Sequence, residues 1–318
     1  NWDIGTAYDL FFSLRVLQEP EQYGVRASWA AGVRSRMSVE HRNVLEQLTH
    51  IISVPLSFVY GLDAPKDSEQ LLIKLKQLPK GKVLEQLSFH AKTPLEIQEL
   101  YLNTHANRKW TKEEEEIITK RRQLTDSKEA KVVLKSLYYA WSNREEFGGN
   151  LIEALEAYLE TFFAEEELRI RPVLEQELSH AQMRAGSRPL PAMLEEITAG
   201  VRYGDLDHIS TITLAPTFWG SPFMFLEHLH EFELLALFGA RPGTMSIIPG
   251  DIVPDALLRG MKALADSTRL RILRYLAQEP QTAAELSRVL RLRPPTVNHH
   301  LNQLRLAGMV QIFLSPSG

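Results

Sequence analysis

The sequence predicts a mainly α fold with a small β component, divided into a long helical N-terminal region and a compact C-terminal unit of short helices. Three observations carry this. Apolar residues recur at helical spacing through most of the first two hundred positions. After Gly200 the pattern changes, and His208–Ala215 is rich in β-branched residues. From Asp255 onward the chain breaks into short, sharply punctuated helical segments.

Ala7–Gln18, Glu40–Val54 and Glu69–Gln77 are read as the first helices from their apolar spacing. Thr93-Pro94-Leu95-Glu96 has a cap residue, a proline suited to the first helical position and a glutamate three residues after the cap, so a helix should start there. Thr111-Lys112-Glu113-Glu114 repeats the cap-and-glutamate pattern. The acidic run Glu113–Glu116 then lies at the helix end that favours negative charge, with Lys120–Arg122 toward the other. These charges are read as a solvated helix face. Lys128–Trp141 and Asn150–His180 are expected to be long helices, with Gly148-Gly149 as the break between them.

His208–Ala215 reads as a strand ended by Pro216, and Glu231–Phe238 as its partner. Ser246–Pro254 holds two prolines and a glycine and is taken as a linker. The expected division is therefore 1–200 helical, 201–253 a small strand-containing segment and linker, and 254–318 a separate C-terminal domain.

In that last segment Asp255–Ala265, Ser267–Gln278, Ala283–Leu290 and Pro295–Ala307 are expected helices. Thr282-Ala283-Ala284-Glu285 forms a capping box for the third, and Gly308 ends the fourth. Met309–Leu314 alternates as a strand, and Ser315-Pro316-Ser317-Gly318 reads as the start of a turn. Two short helices joined by a tight turn place the second in a DNA major groove, with its N-terminal residues toward base edges. Val297, Leu301 and Leu304 share its inner face. Thr296, Asn298, His299, Asn302 and Gln303 are left for the outer surface, where short polar side chains suit base edges and phosphates. Arg291 and Arg293 flank the helix start and would neutralise phosphates. From Asp255 on, nine basic residues face four acids, so a basic end follows a body that carries nine net negative charges. The layout is that of a winged helix-turn-helix whose natural partner is double-stranded DNA.

Leu264-Ala265-Asp266-Ser267-Thr268-Arg269-Leu270-Arg271-Ile272-Leu273 resembles the start of an ArsR-type winged-helix repressor. Thr296-Val297-Asn298-His299-His300-Leu301, followed by Leu304-Arg305 and Ala307-Gly308-Met309-Val310, is similar to that family's recognition helix and the beginning of its wing. The family usually has serine where Asn298 stands and often serine where Pro295 stands, so the two prolines shift which side chain leads into the groove. The resemblance covers about the last fifth of the chain. It implies a homodimer on a palindromic operator, usually repressing until an effector binds, and it adds Pro295 and His300 to the DNA-contact set, the alternative being that one of His299 and His300 packs against the helix-turn-helix core. The family's wing hairpin and following helix are not found before Gly318, so the wing is expected to be incomplete.

The chain has no cysteine, which excludes disulfides and thiolate metal sensing. The longest apolar run, around His50–Tyr60, is interrupted by Ser53, Pro55 and Ser57, and no signal peptide is read, so a cytoplasmic protein without membrane contact is expected. His228 and His230 would share a face on a strand as a metal pair, but no third ligand accompanies them; a polar loop or edge is the adopted reading, with no metal site and no cofactor. Phe218, Trp219, Phe223, Phe225 and Phe232 either line an effector pocket or form ordinary core or a dimer contact, core being preferred. No glycine-rich phosphate loop, Gly-x-Ser-x-Gly elbow or His-Glu-x-x-His motif is present, so no enzyme activity is expected. The function expected is a DNA-binding transcriptional regulator, a homodimeric repressor whose N-terminal region dimerises or senses a small organic effector. The alternatives are an enzyme, or a protein-interaction module, carrying a winged-helix appendage.

Overall fold

The first residues of the chain extend a sheet. In a computed structural model that describes residues 1–105, 108–186, 190–197, 202–203, 208–248, 255–311 and 313–314, the N–H of Asp3 donates to the carbonyl of Leu214 at 2.9 Å and the N–H of Leu214 to that of Asn1 at 3.0 Å. From there the chain enters α1 (Thr6–Gln18), which is buried on nearly every side. A helix buried on nearly every side belongs in the middle of a large core, and α1 takes that place.

Around it lie α2 (Ala27–Arg34), α3 (Val39–Ile51), α4 (Leu56–Tyr60), α5 (Ser68–Gln77), α6 (Val83–Ser88), α7 (Leu95–Leu102), α8 (Lys112–Arg121) and α9 (Ser127–Ser142). They are followed by α10 (Arg144–Tyr158), α11 (Ala164–Ala185) and α12 (Leu190–Ile197). A 3₁₀ turn, Pro20–Tyr23, links α1 to α2, and a π-helical turn, Leu159–Phe163, carries α10 into α11.

The sheet differs from the expected strand pair. β1 (Arg202–Tyr203) stands apart; β2 (Thr211–Thr217), β3 (Phe225–His230) and β4 (Glu233–Gly239) form one sheet in the order β2-β4-β3. β2 runs parallel to β4 and β3 antiparallel to it. β4 is central, and Leu234–Phe238 are all buried, as expected of a strand covered on both faces. β3 was not expected as a strand; it is the sheet edge, and a register shift between His228 and His230 removes the common face a histidine pair would need. Pro216 does not end β2. Leu214 sends its N–H outward to Asn1, and position 216 shares that side, so the missing N–H of proline loses no bond to β4.

Two more expectations fail, one on a long-range contact and one on a local bond. Gly148-Gly149 does not separate helices; α10 runs through the pair, and its start follows Asn143. A Cβ on Gly148 would lie 2.1 Å from the carbonyl oxygen of Lys80, so the glycine is a point of close approach between segments. Thr93 does not cap α7. Pro94 is the cap residue, and the Thr93 hydroxyl accepts instead from the N–H of His90 at 3.0 Å.

The helices and the β2–β4 sheet share a single hydrophobic core, in which Leu214, Trp219 and Leu235 stand beside Phe12, Tyr158 and Ile170. Ser246, Ile247 and Ile248, expected in the linker, are buried, the two isoleucines in that same core. The expected boundaries at 200/201 and 253/254, and the turn at 315–318, lie outside the described residues.

A second core belongs to α13 (Asp255–Leu264), α14 (Ser267–Leu276), α15 (Ala283–Leu290) and α16 (Pro294–Leu306), and is built from Ala263, Ile272, Leu286, Leu290, Val297 and Leu304. Within the wing strand expected at Met309–Leu314, the described strand residues are β5 (Phe313–Leu314), which pairs in parallel with β1 of the body.

Candidate nucleic-acid interface

Local chemistry fixes the helix-turn-helix. Thr282 caps α15: its hydroxyl accepts from the N–H of Glu285 at 3.2 Å, and the Glu285 carboxylate accepts from the N–H of Thr282 at 2.7 Å. That reciprocal bond holds the Glu285 carboxyl below the usual carboxylate range. At the other end Arg291 takes a left-handed backbone, φ 55°, in the position where glycine is usual. The N–H of Leu292 then returns to the carbonyl of Ser287 at 3.1 Å, closing the turn.

Arg293 caps α16 with an extended backbone, and Pro294 and Pro295 fill its first two positions, one residue earlier than the sequence suggested. Two of the N–H groups that a helix start normally offers are thereby absent. A phosphate approaching this end must be met mainly by side chains. Arg288, Arg291 and Arg293 supply them: all three are exposed at the end of α15 and in the turn. Arg288 was not singled out from sequence; only its position beside the turn reveals it.

α16 buries Val297 and Leu304 completely and Leu301 in part. Pro295, Thr296, Asn298 and His299 are exposed on its N-terminal half, while Asn302 and Gln303 are half-buried. Asn298, Asn302 and Arg305 edge an open groove of about 940 Å³ against Leu273, Leu276 and Met309. His300 departs from the expected contact set. Its ring turns inward, with Nδ1 3.8 Å from Asp266, the residue that caps α14. Burial pushes its pKa below the ordinary histidine value, against the raising pull of Asp266. His300 therefore lies between α16 and α14, and His299 is the histidine that faces solvent.

The aromatic stretch divides by burial. Phe218 and Trp219 are fully buried, Phe223 and Phe225 half-buried, and Phe232 is exposed at the β3–β4 turn. Trp219 packs on Trp29 and Phe162, and its indole N–H donates to Glu166 at 3.1 Å. Phe225 packs on Phe12, with ring centroids 4.3 Å apart. The preferred reading of this stretch as core holds for Phe218 and Trp219. The reason is a loop and a strand that send successive side chains in different directions.

The body does contain a cleft, of about 570 Å³, that the sequence did not reveal. It opens between the C-terminal half of α1, the end of α3, helices α6 to α9 and Glu227 of β3. Among the described residues, no group of three or more His, Asp or Glu is arranged to hold a metal ion, and no helix is long and apolar enough to cross a membrane.

Comparison with known proteins bears on the C-terminal unit. Residues 266–311 match the family model described as "Bacterial regulatory protein, arsR family". The match runs from the Asp266 cap through α16 to Gln311 and stops short of the body. Neither the curated proteins nor the solved structures compared with the chain include a match. The C-terminal unit is thus a helix-turn-helix of the ArsR type, the DNA-binding domain of a transcription regulator.

Proposed function

We propose that this chain is a homodimeric transcriptional repressor whose body senses a small organic effector and whose α16 reads DNA. The observation that carries the reading is the division of α16. Its apolar side closes the core of the C-terminal unit, while Thr296, Asn298 and His299 stand exposed at its N-terminal end beside three exposed arginines. That is the arrangement a major groove requires: polar groups at base height and cations at phosphate height. A palindromic operator needs two such helices about one DNA turn apart, and one chain supplies one. On this reading the body binds and signals, and carries out no catalysis.

The test is fluorescence anisotropy on an operator obtained by selection and on random duplex. Asn298→Ala should weaken operator binding by about 1–3 kcal/mol and leave random DNA nearly unchanged. Arg291→Ala and Arg293→Ala should weaken both DNAs alike, each lowering the salt slope by about one. Affinity that does not vary with salt, or that is unchanged in all three variants, would refute the assignment of α16.

A further inference from the structure

We infer that the cleft in the body is a binding site for a small organic anion, a carboxylate or phosphate on a flat apolar frame. The inference rests on the regulator reading only for its consequence at DNA; the site itself stands on the geometry of the cleft.

The volume, about 570 Å³, lies within the usual range for small-molecule sites. One wall is apolar and held rigidly. Phe89 and Tyr101 both line it, and both stack on the buried Trp141, with centroids 5.3 and 5.0 Å away and rings within 15° of parallel. Such a wall favours a flat ligand face.

The polar side carries the charge argument. Arg122 lines the cleft half-buried, and its guanidinium donates to the carbonyls of His50, at 2.8 Å, and Ile51. These are the last carbonyls of α3, so the guanidinium is held at the cleft by a helix C-terminus, and among the described residues no carboxylate pairs with Arg122. Arg121 stands beside it, exposed on the rim. Three carboxylates also line the cleft. Glu227 accepts from both the N–H and the hydroxyl of Ser57, Glu19 lies 3.8 Å from Arg15, and Glu129 is exposed to solvent. An anionic head on the Arg121–Arg122 pair, with its frame on Phe89 and Tyr101, satisfies the unpaired charge and the apolar wall together.

The cleft also has a route to DNA. Arg15 and Glu19 line it, and the turn that follows them, Pro20–Tyr23, packs against α16. An anion that draws Arg15 from Glu19 acts directly on that turn.

Calorimetric titration of the full chain tests the site with three probes of one shape: benzoate, phenyl phosphate and the neutral benzyl alcohol. The expected result is saturable binding of at least one anion and none of the alcohol; which anion binds identifies the head group. Arg121→Glu should weaken that binding roughly tenfold or more, with an unchanged far-UV spectrum and a slightly lowered melting temperature, since α8 loses a cation from its last turn. Arg122→Lys should also weaken it, because a lysine cannot keep both carbonyl bonds and the fork toward the ligand. Binding of neither anion, equal binding of the alcohol, or an unaltered isotherm in Arg121→Glu would overturn the site. A chain that binds an anion in this way but never binds DNA would support the site and overturn the regulator reading.

Discussion

Asp9 shows what a single buried carboxylate does to the whole body. It lies on α1 with no exposed surface. One oxygen accepts from the Thr217 hydroxyl at 2.7 Å and the Trp219 N–H at 2.6 Å, while the other has no hydrogen-bond partner. Burial raises its pKa from the usual carboxylate value to about 7, against the lowering effect of those hydrogen bonds. Between that usual value and pH 7 the folded chain holds a proton that the unfolded chain has lost. Stability from this group is therefore full at the acid end of the window and falls as pH rises through it, by roughly 4 kcal/mol in all. Asp9→Asn should flatten the decline between pH 5 and pH 8 and be the more stable protein at pH 8. Urea melts at the two pH values would show this, and parallel declines in variant and wild type would refute it. Nothing in Thr6-Ala7-Tyr8-Asp9-Leu10 marks Asp9 as buried, because its partners stand more than two hundred positions away. The residues of α16 were more legible. Helical spacing alone separated Val297 and Leu304 from Thr296 and Asn298; His300 entered the contact set through the resemblance, and its inward turn toward Asp266 of another helix was not readable locally.

At the scale of elements, most of what is local was readable, the cap expected at Thr93 being an exception, and what is tertiary was not. The capping boxes at Thr111 and Thr282 need only their own four residues, and both form. The break expected at Gly148-Gly149 ignored Lys80, whose carbonyl requires the missing side chain, and the stop expected at Pro216 ignored the direction of one N–H. α13 matches its expected span within a residue, and its surface carries a prediction. Leu257, Leu258, Met261 and Leu264 are all large, apolar and exposed, at 60%, 43%, 65% and 45%, on a helix whose Arg259 bonds to the carbonyl of Leu306. Four such side chains on one ten-residue helix form a patch that a second copy of α13 would cover, since a two-fold axis places like against like. The wild-type chain should therefore scatter light as twice its 36.3 kDa mass. Met261→Glu should yield a monomer with an unchanged far-UV spectrum and weaker operator binding. A wild-type monomer at micromolar concentration would remove α13 from the interface.

The whole molecule consists of two cores joined by a contact that no sequence pattern announces. The linker reading of 246–254 suggested a tether, yet the described part of it is buried in the body, and the C-terminal unit packs on the body directly. The Arg305 guanidinium of α16 lies 4.7 Å from the centre of the Phe223 ring, and Tyr23 meets the same ring edge-on at 5.8 Å. Gly24, at φ 71°, lets Arg259 of α13 lie across the turn; a Cβ there would come within 2.9 Å of the arginine side chain. The turn Pro20–Gly24 thus touches both α13 and α16, and its other end adjoins Glu19 at the cleft. An effector can change DNA affinity only through elements whose position differs between its bound and free states, and this turn connects the two sites physically. Phe223→Ala should therefore separate sensing from reading. Anion binding by the body and DNA binding without anion should persist, while the shift in DNA affinity on adding anion, about 1–3 kcal/mol for an ordinary allosteric coupling, should shrink toward zero. Anisotropy titrations of operator with and without saturating anion measure both quantities on the same variant. Should Phe223→Ala keep the full shift, the coupling runs through another path, and the contact between Phe223 and Arg305 serves packing alone.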